Sequence, residues 1–198
     1  MSKISNILLA LLFAVFVVGL PWFIHQQKYN THSQPSVGDH IDSFLGIPVY
    51  YNGMNFTRSY GDHFSPDGYY YGQKWQCVEY VKRFYHRALS HKMPNVWGHA
   101  KDYYDPTINH AHVNHQRGLV QYQNGGNVKP AVNDLIVFTG PRYGHVAIIT
   151  AVNDRDIEII QQNVFTKTRE SLKLVKRDDN YFVFGSGRSA GWLRLKTE

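Results

Sequence analysis

The sequence predicts an α+β domain: a helix carrying the only cysteine, followed by short antiparallel strands and preceded by one apolar N-terminal helix. Three observations predict it. Val78, Val81, Tyr85 and Leu89 recur at helical spacing across residues 75–89. From residue 134 onward, β-rich runs alternate with turn signals such as Gly140-Pro141 and Asn153-Asp154-Arg155-Asp156. Ahead of both, residues 7–24 read ILLALLFAVFVVGLPWFI without a charge. A helix followed by a run of strands is an α+β layout, and 198 residues hold one ordinary domain with a short appendage.

Taken in order, residues 1–28 are expected to form a membrane anchor through 7–24, because a buried soluble helix would show a polar face and this run has none. A cleaved signal peptide is the rival reading. No Ala-x-Ala-like site follows the apolar run, and Pro21-Trp22-Phe23 resembles an interfacial end. With the N-terminus in the cytoplasm, everything after Lys28 lies outside it, in the periplasm or at the cell surface. Residues 29–38 are polar, contain Pro35 and Gly38, and read as a tether. The domain then spans 39–198. A short strand is expected at 47–51, ended by Asn52-Gly53, and a Gly- and Tyr-rich loop at 59–73 leads into the helix. Residues 95–126 carry no legible pattern. Strands are expected at 134–139, 145–152, 157–164, 181–184 and 191–195.

Composition narrows the function. The formal net charge is +6, yet the basic residues are scattered and Lys173, Lys176 and Arg177 are the nearest to a cluster. Nucleic-acid binding calls for a concentrated basic stripe or a binding motif, so no nucleic-acid partner is expected. Aromatics reach 15%, which suits a plain β-rich core as well as a ligand groove. His110, His112 and His115 lie close together, but solvated loop histidines are the default for such a cluster. The expectation is no metal and no cofactor.

The chemistry rests on Cys77. A lone cysteine forms no intramolecular disulfide, and one at a helix start meets unpaired N–H groups and a dipole that favour the thiolate. Amide hydrolysis by a thiol also needs a base, a group that orients the base and donors for the oxyanion. His145 follows Gly144 at the head of a strand, where the missing side chain leaves room for substrate. Alternation along 157–164 puts Ile157, Ile159, Gln161 and Asn163 on one face, so Gln161 or Asn163 can reach the imidazole. Gln76 can supply an oxyanion donor together with the Cys77 N–H, and Trp75 and Asn163 are further candidates for binding substrate.

Gly72-Gln73-Lys74-Trp75-Gln76-Cys77-Val78-Glu79-Tyr80, Gly144-His145-Val146-Ala147-Ile148-Ile149-Thr150, Gln162-Asn163-Val164 and Gly191-Trp192 together resemble the CHAP amidases. These are cysteine- and histidine-dependent amidohydrolases and peptidases with a papain-like arrangement. The likeness is strongest to the amidase domain of glutathionylspermidine synthetase/amidase enzymes and covers about residues 39–195. It implies a nucleophile helix packed on an antiparallel sheet, with Cys77 as nucleophile and His145 as base. One departure stands out: the resembled domain has a glutamate where this chain has Gln161. A neutral amide can orient a histidine but lends no charge to an imidazolium. The resemblance implies either a glutathionylspermidine-like amide or a peptidoglycan stem peptide as substrate. The alternative is a catalytically weak or inactive module that binds cell-wall or peptide ligands, and the neutral Gln161 is its support.

Overall fold

The folded part opens with a hairpin. Leu45 and Gly46 both take positive φ, 47° and 74°, and make the two-residue turn that closes β1 (His40–Phe44) on β2 (Ile47–Tyr50). The computed structural model describes residues 34–140, 142–185 and 187–196. From Pro35 onward the chain forms one compact unit. The anchor expected at 7–24 and the start of the tether lie outside the described residues. Among the described residues no helix is long and apolar enough to cross a membrane.

Residues 59–73 hold a second hairpin where a loop was expected, β3 (Asp62–Phe64) on β4 (Tyr70–Gln73). Its glycines mask the strand pattern. The helix α1 spans Cys77–Leu89 and ends where Ser90 turns left-handed. Tyr80, Val81, Phe84 and Tyr85 are fully buried, and so are Glu79, Lys82 and Arg83. An amphipathic helix would leave those charges in water; here the strand His145–Val152 lies against the helix, and β2 and β4 pack against it as well.

The stretch 95–126, illegible in sequence, contains a 3-10 turn at Ala100–Tyr103 and a hairpin of β5 (His112–Asn114) and β6 (Leu119–Gln123). The His110 ring is fixed between the Asn127 side chain and the Gln123 N–H. Among the described residues no three His, Cys, Asp or Glu side chains gather in a metal-binding cluster.

The remaining strands are β7 (Leu135–Phe138), β8 (His145–Val152), β9 (Asp156–Ile160), β10 (Arg169–Arg177), β11 (Asn180–Phe184) and β12 (Ser189–Arg194). With β5 and β6 they form an eight-stranded sheet in the order β11-β10-β9-β8-β7-β12-β6-β5, antiparallel at every pair. One face, with Val137, Val146, Ile148, Ile160 and Leu193, packs on α1. The other, with Ile136, Ile149, Ile159, Leu172 and Trp192, packs on itself as the sheet curls. The curl closes where Asn124, at the end of β6, exchanges hydrogen bonds with Val183 of β11 and donates to Ser189 O of β12.

Two expectations for the sheet need correction. Strand β10 was not expected, because its charges overshadow the alternation that buries Leu172 and Leu174. Strand β9 stops at Ile160 rather than running to 164, since Asn163 and Phe165 take positive φ of 68° and 50° and turn the chain out of the sheet. The face alternation inferred across 157–164 therefore ends before Gln162.

Candidate active site

Cys77 is the first residue of α1, with Gln76 as an extended N-cap that makes no side-chain cap. The thiol is free and only 8% exposed. Burial by itself would push it up. The charge and hydrogen bond of His145, followed by the N–H groups of Val146 and Val78, outweigh burial and hold the thiol below its ordinary value.

His145 opens β8 and pairs with Phe138 of β7. Gly144 before it has φ of +70°, and a Cβ there would lie 2.5 Å from the Phe138 carbonyl and 2.8 Å from the Lys101 N. The space of the missing side chain is thus filled by protein backbone and not, as expected, kept for substrate. Burial alone would lower the imidazole. The Cys77 charge and hydrogen bond, the Gln161 hydrogen bond and the charge of Glu170 together raise it. Both shifts favour thiolate and imidazolium over the neutral pair.

The imidazole Nε2 lies 3.0 Å from Gln161 Oε1, which leaves Nδ1 for the sulfur. Gln161 is itself fixed: its N–H donates to Thr168 O at 2.8 Å and its side-chain Nε2 to Lys167 O at 3.2 Å. With the amide nitrogen committed to a carbonyl, the amide oxygen is the atom presented to the ring. Asn163, the other candidate partner, faces elsewhere. It accepts from Asn52 Nδ2 at 2.6 Å and donates to Phe56 O and Gln76 Oε1, both at 2.7 Å.

Gln76, the expected oxyanion donor, is held between that Asn163 amide and the Arg58 carbonyl, to which its Nε2 donates at 2.9 Å. One of its two amide hydrogens is taken in this way. Trp75 stands apart from the reacting groups: its ring packs on Tyr50 and His63, with centroids 4.1 and 5.4 Å away. Its backbone N–H donates to Asn52 Oδ1, so it braces the turn before the helix.

Two residues that sequence reasoning missed hold this arrangement in place. Gln162 donates to Gln76 O at 3.1 Å and to Glu79 Oε2 at 2.7 Å, and accepts from the Tyr50 N–H at 2.8 Å. Glu79, fully buried two residues after Cys77, meets His63 Nδ1 at 2.8 Å and the Arg83 guanidinium. Burial would raise this carboxyl, but the His63 hydrogen bond and the charge and hydrogen bond of Arg83 hold it below its ordinary value. The one sequence signal was the Gln162-Asn163-Val164 block itself.

Above the Cys77–His145 pair lies an open groove of about 1040 Å³. Phe56, Tyr70, Gln76, Trp97, Ala100 and Asn163 are among the residues that line it. Such a cleft has room for an extended ligand beside Cys77 and His145.

Residues 68–163 match the family model described as the CHAP domain. The bifunctional glutathionylspermidine synthetase/amidase of Escherichia coli (strain K12) is 32% identical over 148 residues, 67% of this chain and 23% of that protein. The enzyme of the same name from Shigella flexneri matches equally. Trypanothione synthetase from Crithidia fasciculata is 29% identical over 140 residues, 67% of this chain and 21% of that protein. The chain thus spans less than a quarter of the length of these curated relatives.

Proposed function

Because this chain carries a CHAP domain, we propose that it is a thiol-dependent amide hydrolase working through an acyl-enzyme on Cys77. The observation that carries the reading is the ordered set Cys77, His145 and Gln161, with the imidazole held 3.0 Å from the Gln161 oxygen and hydrogen-bonded to the thiol. The Cys77 thiolate attacks the substrate carbonyl. The Cys77 N–H and the Gln76 amide face the developing oxyanion. Imidazolium gives its proton to the leaving amine as the C–N bond breaks. Neutral His145 then takes a proton from water, which adds to the thioester, and the carboxylic acid leaves as the thiol is restored.

Two lines of support point to different substrates. Two of the relatives are named as glutathionylspermidine amidases, which favours a glutathionylspermidine-like amide. The uncharged run at 7–24 favours an anchored enzyme with its domain outside the cytoplasm, where peptidoglycan stem peptides are the available amides. A reporter fused to the C-terminus decides the compartment, and a cytoplasmic result removes peptidoglycan.

The test of the activity is to incubate the full chain with glutathionylspermidine and, separately, with soluble peptidoglycan fragments, following products by mass spectrometry. Hydrolysis of one of them that Cys77→Ala abolishes is the expected result. Tight binding of either without turnover would replace this reading with that of a binding module, which the neutral Gln161 favours.

A further inference from the structure

Three strands of the sheet bring two guanidiniums to the mouth of the groove. Phe138, at the end of β7, pairs with His145 of β8 on one side and with Ser189 of β12 on the other. The loop after β7 and the segment before β12 therefore leave the sheet beside His145. Thr139 N–H donates to the Arg188 carbonyl at 2.9 Å, which ties the Arg188 segment to the end of β7. A Cβ on Gly187 would sit 3.2 Å from the Phe138 ring, so that segment lies flat against the strand. Arg142 and Arg188 are both exposed and both line the groove that holds Cys77.

The acidic groups nearby are answered elsewhere. Asp102 lines the groove too, but its carboxylate accepts from the His99 N–H at 2.8 Å and is drawn to the buried Arg117. Glu170, whose charge reaches His145, pairs with Lys167 at 3.2 Å. The loop end of the groove is left with a positive character.

We propose that Arg142 and Arg188 form a carboxylate subsite, so that the substrate is an amide bearing a free carboxylate placed toward the loops after β7 and before β12. This rests on the amidase reading and narrows it: neutral amides are poor substrates, and acidic peptides or peptide conjugates are good ones. Guanidinium suits the task because its planar fork takes a carboxylate through two hydrogen bonds.

The test uses the full chain and two alkylating reagents that differ in charge, anionic iodoacetate and neutral iodoacetamide, each reacting at Cys77. The ratio of their rate constants is compared between the wild-type chain and Arg142→Ala/Arg188→Ala at low ionic strength. The double variant is expected to lower the ratio about three- to tenfold, with the iodoacetamide rate unchanged, because only the anion is drawn by the lost charges. Arg142→Lys/Arg188→Lys should restore most of the ratio, and added salt should erode it in the wild type. A ratio that stays within about twofold in the alanine variant overturns the subsite. Slow alkylation by both reagents speaks against the amidase reading instead, and the ratio is still read.

Discussion

Gln161 and Gln162 are adjacent and chemically identical, yet they serve opposite sides of the helix start. Gln161 stays in register with Thr168 and offers one oxygen to His145, with its amide nitrogen tied to Lys167 O. Gln162 leaves the sheet and joins a buried network in which Glu79 and Arg83 carry the formal charge and His63 meets the same carboxylate. At His145 the side-chain hydrogen bond comes from a neutral amide; beneath Cys77 a full carboxylate holds the backbone. The difference teaches that, of the two glutamines, the one that joins a charged hydrogen-bond network is the one that holds the Cys77 helix, while the one at the imidazole brings no charge of its own.

The strongest way to break that contrast is Glu79→Ala. It strands the buried Arg83, and loss of one partner of a buried ion pair costs about 3–5 kcal/mol. Chemical denaturation measures it, and a loss below about 1 kcal/mol would show that the network is not structural. The same carboxyl carries a pH signature. Its folded value is depressed, so its stabilisation is present above the ordinary carboxylate range and is lost as pH falls through the folded value.

Gln161→Ala comes next and tests the other side. The rate should fall about ten- to a thousandfold, equivalent to about 1.4–4 kcal/mol of barrier, while denaturation midpoints move little. Gln162→Ala should do the reverse. It leaves Glu79 and the Gln76 carbonyl short of a donor at a cost of about 1–3 kcal/mol, and the pH dependence of alkylation stays put. If both variants lose stability alike, the two glutamines do not divide the work.

How much of this was legible in sequence follows from distance along the chain. Cys77 at a helix start and His145 at a strand start are each written in a local block, so their types and elements were readable. The Glu79 network was not, because helical spacing reads Glu79, Lys82 and Arg83 as a solvated face. Their cover comes from β2, β4 and the turn after β9, which no local pattern announces. Gln161 was singled out through an alternation that holds only as far as Ile160, and its geometry depends on Lys167 and Thr168 across a turn.

Smaller effects sharpen the comparison. Gln161→Glu should preserve or raise the rate and raise the imidazole further above its ordinary 6.5, since a carboxylate adds a negative charge to the hydrogen bond that the amide already gives the ring. Titration of the ring by NMR reads the change, and an unmoved imidazole would mean that position 161 does not face it in solution. In the wild type, the lowered thiol and the raised imidazole both shift the balance toward the ion pair. Iodoacetamide modification of Cys77 should therefore persist to lower pH than that of a thiol with the ordinary value of 9.0.

A lowered thiol at Cys77 also bears on oxidation. A thiolate is the form that peroxide converts to sulfenic acid, and the usual escape is condensation with a second thiol. This sequence contains one cysteine, so repair falls to a small thiol from outside, which must reach a sulfur only 8% exposed at the floor of the groove. A ligand seated in the groove over Cys77 would block that approach and shield the sulfur as well, so its occupancy would slow both inactivation and rescue.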